Sequence, residues 1–335
     1  MKFLAAGSLL FVVLTASVPA CELCAIYSAD SARSESSSGL TFTVAEMFVS
    51  SHTLQAEGGP FSTVPPFDDF LHSAYLDSSI THLVPGYNFS RRFGVSLNLP
   101  LEYLRFRRAE LTFTNGIGMA EEQGTVSGLG DIALIGRLSL IQLNKMKYSA
   151  TVNLLAGVKF PTGDTARLQQ ETSLAKTSQH NTLGGIHQHD LALGSGSYDG
   201  VFGLASAFRW RRWFLNNQIQ YYLRTEGVSY QFGNQIIVSG GPGGYFLLNE
   251  KFTLNLQANA YYESSASDKI LGQAFNIAGV NQTGMTSWYL GPLFNLTLGE
   301  HFSANAGVDL PLRIYNHGIQ SVPDYRVHAG FTWRF

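Results

Sequence analysis

The sequence predicts an all-β transmembrane antiparallel β-barrel of about twelve strands, and three observations carry the prediction. An apolar leader opens the chain, blocks of alternating apolar and polar residues fill the rest, and the connections between blocks alternate short and long. Successive side chains of a strand point to opposite faces. Alternation with aliphatic and aromatic residues on one side therefore suits a wall between lipid and water.

The leader comes first. Lys2 precedes an almost wholly apolar run from Phe3 to Ala16, and Val18-Pro-Ala20 places small residues where a signal peptidase needs them. Residues 1–20 thus read as a secretory signal. The run is shorter than the ~20 residues of a spanning helix, and no later segment reaches that length uninterrupted. Residues 21–38 read as an N-terminal periplasmic segment and residues 39–335 as the barrel. Charged residues make up 14 % of the chain, against ~25 % in soluble domains. A surface that poor in charge suits lipid better than water. The net charge of −2 offers no basic footprint, so nucleic acid is not an expected partner.

The blocks fall near 39–50, 73–89, 93–107, 128–141, 148–160, 197–210, 213–224, 235–248, 252–263, 285–298, 302–314 and 324–335. The clearest sets Phe252, Leu254, Leu256, Ala258, Ala260 and Tyr262 against Thr253, Asn255, Gln257, Asn259 and Glu263. Residues 302–314 set Phe302, Ala304, Ala306, Val308, Leu310, Leu312 and Ile314 against Ser303, Asn305, Asp309 and Arg313. Phase is weakest where Glu46 and Pro85 interrupt it and where Gly240-Gly-Pro-Gly-Gly244 falls inside a block. Connections are short around 90–92, 142–147, 211–212, 249–251 and 299–301. They are mostly longer over 51–72, 108–127, 161–196, 225–234, 264–284 and 315–323. Short turns belong in the periplasm and long loops outside. Phe89, Phe93, Trp210, Trp213, Phe246 and Phe252 flank the short turns as an interfacial girdle would.

In the last block Tyr325, Val327, Ala329, Phe331, Trp333 and Phe335 share one face. This terminal strand resembles the assembly signal of bacterial outer-membrane barrels. The resemblance implies the barrel-assembly machinery and outer-membrane lipid as partners. Replacing Phe335 by serine should then lower the yield of folded protein in the outer membrane. Unchanged yield in fractionated membranes would remove that role from the terminus.

The opposite faces carry Glu102, Asp131, Arg137, Lys159, Asp199, Arg209, Arg224, Glu263, Asp309, Arg313, Arg326 and Arg334. A charge on the lipid face costs roughly 2–4 kcal/mol near the midplane for Arg or Lys, so all twelve are expected to point into the lumen. There they either pair and fill it or form the acidic and basic walls of a polar channel. The expected function is an outer-membrane channel or passive transporter for small-molecule solutes. The alternative is a non-transporting structural or metal-binding surface barrel with a closed lumen.

Three short motifs add a family resemblance. Gly128-Leu-Gly-Asp-Ile132 opens a strand, Lys159-Phe-Pro-Thr-Gly-Asp164 closes another, and Leu193-Gly-Ser-Gly-Ser-Tyr-Asp199 opens the next after a long loop. Their order and spacing over residues 90–335 resembles the outer-membrane proteins grouped as the meta-pathway phenol-degradation family, often called transporters. The resemblance implies a barrel engaged in uptake of hydrophobic or aromatic compounds. Read physically, the motifs are turn chemistry at strand ends.

Two further clusters are candidate sites. Cys21-Glu-Leu-Cys24 follows the leader, and outside the cytoplasm a disulfide is its default state. A redox pair, half of a metal site and an acylated Cys21 are the alternatives, while Ala25 stands where haem attachment needs histidine. His180, His187 and His189, with Asp190, lie in the loop 161–196 and could hold Cu²⁺, Zn²⁺ or Ni²⁺; solvated loop histidines are the commoner case. No cofactor is expected. His301-Phe-Ser303 resembles the His-x-Ser arrangement of outer-membrane phospholipases, but it falls at a predicted periplasmic turn, the wrong end, so no catalysis is expected.

Overall fold

The computed structural model describes residues 38–57, 59–60, 73–112, 118–177, 185–249, 251–277 and 280–335. Residues 1–37, with Cys21 and Cys24, lie outside it, as does His180. The alternating blocks become strands β1 (Gly39–Ser51), β2 (Tyr75–Asn88), β3 (Phe93–Thr112), β4 (Gly118–Leu129), β5 (Ala133–Asn144) and β6 (Tyr148–Lys159). After helix α1 (Ala166–Lys176) come β7 (Asp199–Trp210), β8 (Trp213–Leu223), β9 (Gln235–Leu248) and β10 (Phe252–Ser265). The last three are β11 (Met285–Leu298), β12 (Phe302–Asn316) and β13 (Tyr325–Arg334). Apart from β4 and β5, each pairs antiparallel with its sequence neighbour. β4 and β5 share one stave, pairing with the upper and lower parts of β3. β1 meets β13, from Thr41 opposite Arg334 to Ser50 opposite Tyr325, and closes the wall. Among the described residues the barrel has twelve staves.

The predicted faces hold in most strands. β13 alternates exposed and buried without a break, and Phe89, Phe93, Trp210, Trp213, Trp333 and Phe335 are exposed beside short turns or at the terminus. Four features depart from the sequence reading. Residues 108–112 and 118–127, expected as loop, extend β3 and form β4, a paired ledge that continues the stave beyond Gly130-Asp-Ile132. Glu121, Gln123 and Thr125 lie on one side of it and Glu122 and Gly124 on the other, so no lipid-facing stripe marks it as strand.

The second departure is in β12. Its register with β11 shifts between the pairs Trp288–Arg313 and Tyr289–Pro311, so Leu312 is an extra residue. A bulge reverses the phase beyond it. Arg313, expected in the lumen, therefore points outward and stacks over Tyr315 at 4.3 Å, while Ile314 takes the inward side. Third, Glu46 keeps the phase of β1 and faces outward beside Ala329 and Thr81. The hydroxyls of Ser79 and Thr81 donate to its two oxygens, which offsets part of the cost of a carboxylate in the wall. Fourth, the glycine run continues β9 as strand, and Gly240 sits at φ 141° where a Cβ would strike Asn216 O of β8 at 2.1 Å. Only glycine permits that approach.

The interior is packed. Met47, Val49, Ile135, Leu155, Val201, Tyr222, Ile237, Tyr261 and Tyr289 come from eight staves, and all are buried in one apolar cluster inside the wall. Nearer the short turns, Asn98, Asn255, Gln257, Asn295, Asn305 and Arg334 form a polar layer that is also buried. Asn295 donates to Asn255 at 2.8 Å and Arg334 to Ser303 at 3.2 Å. Side chains of a twelve-stranded barrel can meet across the lumen where those of a porin cannot.

Candidate functional site

The three glycine-rich motifs, separated in sequence, meet at one node. Asp131, in the break between β4 and β5, accepts the N–H of Gly163 at 2.9 Å and both the N–H and hydroxyl of Ser195 at 2.7 and 2.6 Å. Lys159 Nζ lies 3.0 Å from Asp131 and 3.7 Å from Asp199, and Arg224 Nη1 donates to Asp199 at 3.0 Å. Asp131, Lys159 and Asp199 are buried and Arg224 nearly so, and each finds opposite charge or N–H donors, as burial requires. Gly163 and Gly194 cross so closely that a Cβ on Gly163 would lie 2.4 Å from Leu193 O. The node thus pins both ends of the loop 161–196.

Between its pinned ends, residues 165–177 and 185–192 form a cap across the long-loop mouth. Ile186 and Leu191 pack on Leu76 and Phe106 of the wall, and Leu168 of α1 packs with Tyr230, Ile270 and Phe275 from the connections after β8 and β10. Arg108 of β3 donates to Ile186 O at 3.3 Å and to Glu122 of the ledge at 2.9 Å. Arg167 joins the same Glu122 at 3.3 Å.

The two predicted loop histidines belong to this cap and are buried. Their rings stack at 5.3 Å and 10°. Among the described residues no group of three or more His, Cys, Asp or Glu has metal-binding geometry. Together they latch the cap. His189 lies 3.7 Å from Glu171, 3.5 Å from Asp190 and 4.0 Å from Asp268. Burial alone would lower its pKa; the charges of Asp190, Glu171 and Asp268 outweigh that and raise it to about 9. Burial and the neighbouring His189 charge lower His187 to about 4. Glu171 accepts the N–H groups of Gln188 and His189 at 2.7 and 3.1 Å. Burial raises its pKa, but His189 and these donors overcome it and bring it to about 2.

Beneath the cap lies a chamber of about 230 Å³. Leu76, Ile80, Leu193, Tyr222, Phe232 and Met285 give it apolar walls, and Glu102, Lys159, Arg224, Glu263 and Arg326 supply charge. Arg326 Nη2 donates to Glu263 at 2.7 Å and to the Tyr289 hydroxyl at 2.9 Å, and its guanidinium stacks over Tyr289 at 3.9 Å and Tyr261 at 5.0 Å. The volume falls below the roughly 300–1,000 Å³ of drug-sized sites, so it matches a smaller molecule.

Of the twelve charges predicted inward, the structure places eleven there and Arg313 outside. Asp131, Lys159, Asp199 and Arg224 join the node, Glu102, Glu263 and Arg326 the chamber. Arg137 and Arg209 sit near the short turns, donating to Asn88 at 2.8 Å and Ser149 at 3.3 Å. Asp309 pairs with His328 at 3.3 Å. Sequence reasoning missed the apolar belt, the cap's inward packing and the aromatic cradle of Arg326. The signal available was the aliphatic residue on the polar face of several blocks, such as Leu155 and Ile237.

No family model matches the sequence, and no curated protein matches it. Among solved structures the chain is similar to an outer membrane channel from Pseudomonas putida F1, at 14 % identity over 90 % of this chain and 97 % of that one, TM-score 0.56. It is also similar to the β-domain of the Bordetella autotransporter BrkA, at 12 % identity over 89 % and 100 % of the two chains, TM-score 0.46. A third likeness is to a TodX monoaromatic hydrocarbon channel mutant, at 12 % identity over 93 % and 94 %, TM-score 0.41. The likeness to the Pseudomonas protein, at its identity, concerns the fold. With the lipid-facing wall described above, it makes this chain an outer-membrane β-barrel.

Proposed function

We propose that the barrel is a gated channel, or passive transporter, for small solutes, hydrophobic or aromatic compounds among them. The carrying observation is the chamber inside the barrel, which combines apolar and aromatic walls with a few fixed charges beneath a hinged-in cap. Such a mixture binds a solute through its apolar body and orients it through its polar group. Passage then requires the cap to lift and the packed belt to yield, so resting conductance is low.

Burial of the inward side chains around the wall favours a second reading, the surface barrel with closed lumen. Planar-bilayer recording separates the two. Because Gly194 N–H donates to Asp164 O at 3.0 Å, residues 165–192 can be deleted and the ends joined. Rare small steps from the full mature chain and frequent larger ones from the deletion variant are the expected result. Silence from both would assign the closed barrel.

A further inference from the structure

Among the described barrel strands, β4 alone has a neighbour on one side only. It pairs with β3 in an unbroken register from Leu101 opposite Leu129 to Thr112 opposite Gly118. Its other side is open because the next stave stops short. β6 ends at Lys159, opposite Ala133 at the start of β5, and leaves no strand to meet β4 above that level. The direction of each backbone group follows from one bond. Gly130 N–H donates to Pro100 O at 2.9 Å, and hydrogen-bonded pairs recur at every second residue of an antiparallel ladder. Gly128, Val126, Gly124 and Glu122 therefore bond to β3. The N–H and C=O groups of Leu129, Ser127, Thr125, Gln123 and Glu121 point to the open side, where they have no hydrogen-bond partner among the described residues. Gly128 is exposed, and with no side chain that exposure is backbone. Ser127 is level with Tyr103 and, through Ser79, with Phe48, which stacks on Tyr325 at 5.8 Å in an outward-facing aromatic belt. Beyond that level the edge has left the hydrocarbon and meets water, which tolerates unpaired backbone.

Exposed edges are ordinarily guarded by lysine, proline, a bulge or a covering segment, because they invite another strand. β4 carries neither lysine nor proline, and its ladder has no register shift. Its two carboxylates are already matched, Glu121 by Arg107 at 2.7 Å and Glu122 by Arg108 at 2.9 Å and Arg167 at 3.3 Å, so they do not repel an incoming chain. We propose that this edge docks an extended polypeptide segment of another protein, which adds to the ledge as a further strand. From Glu121 to Leu129 the edge is about 26 Å long at ~3.3 Å per residue. On the cap side, Gly124 and Gly128 lack side chains and border Phe106 and Leu193. The incoming strand should set apolar side chains there and polar ones beside Gln123, Thr125 and Ser127. A second copy is a poor occupant. Two barrels in one membrane are related by an axis along its normal, so strands tilted ~40° cross at about 80°, too oblique for a ladder.

Residue-resolved hydrogen exchange on the full mature protein in lipid nanodiscs, with a synthetic peptide copying Leu101–Ala109, tests this. That sequence already alternates Leu104 and Phe106 with Tyr103 and Arg105 as β4 requires. Without peptide, the amides of Glu121, Gln123, Thr125 and Ser127 should exchange freely while those of Glu122, Gly124 and Val126 are protected. With peptide, the first set should become protected too. The same peptide methylated on the backbone nitrogens that face β4 keeps every side chain and should not bind. Thr125→Pro removes one open-side N–H and leaves the ladder with β3, as proline in an edge strand can. It should weaken binding at least about tenfold, whereas Thr125→Ala should leave it unchanged. Protection of the first set before peptide is added would mean that the edge is already covered by this chain or, if protection grows with protein concentration, by a second copy. Either would overturn the proposal. So would a failure of the peptide to bind, equal binding of its methylated form, or undiminished binding to Thr125→Pro.

Discussion

Protection of the cap should follow a bell-shaped pH curve with its maximum near pH 6.5. The groups that face one another are His187 and His189, Glu171 of α1, Asp190 of the same turn, Asp268 and Tyr230 from the connections after β10 and β8, and Arg108 of β3. His189 is raised to about 9 in the closed cap. Its contribution is complete below its solvated value and is lost as pH rises toward 9. His187 is depressed to about 4. The open cap binds that proton first, so closure weakens as pH falls from 6.5 toward 4. Glu171, held at about 2, adds a further loss as pH falls from its solvated range toward 2. Tyr230 donates to Asp268 at 2.5 Å and remains protonated throughout. Amide exchange of residues 185–195, corrected for intrinsic rates, should be slowest near neutrality and accelerate on both sides. A curve that only rises or only falls between pH 4 and pH 9 would dismiss the latch.

Asp131→Ala should free the cap and cost about 3–5 kcal/mol, the range for removing one partner of a buried ion pair. The substitution strips Lys159 of its nearer carboxylate and leaves the N–H groups of Gly163 and Ser195 unanswered. By contrast, Ser195→Ala removes one hydroxyl donor and should cost about 1 kcal/mol. Arg167 and Lys176 in α1 provide tryptic sites inside the cap. Cleavage there should be rapid in Asp131→Ala and slow in the native protein and in Ser195→Ala, with denaturant titration reporting the free energies. If Asp131→Ala resists trypsin as the native chain does, the node does not pin the loop.

What the sequence made legible was the boundary with lipid. Contrast between hydrocarbon and protein interior is written at period two, so β10 and β13 could be assigned face by face. Loop lengths showed which end is which. The interior was harder to read, for separate physical reasons. Met47, Val49, Ile135 and Leu155 are apolar on the inward face, and beside an apolar outward face they erase the contrast. A bulge inserts one residue without changing composition, so Arg313 and Ile314 exchanged sides unannounced. The ledge of β4 meets no lipid and carries no stripe. Asp131 and Ser195 read as local turn formers, yet their bond joins residues 64 positions apart, and no local pattern encodes that. His187 and His189 stood out as a pair; their burial was a property of the closed cap. Arg326 was read as inward, while the rings that hold it come from other staves.

The apolar belt also bears on how this protein withstands leaving its membrane. A barrel filled only by water depends on lipid for nearly all its hydrophobic contact, and detergent must replace the whole of it. Here the strands touch hydrocarbon outside and one another's side chains within. Extraction perturbs the outer contact and leaves the inner one intact. The wall is built like half of a soluble β-sandwich rolled onto itself, and it carries that internal adhesion into the micelle.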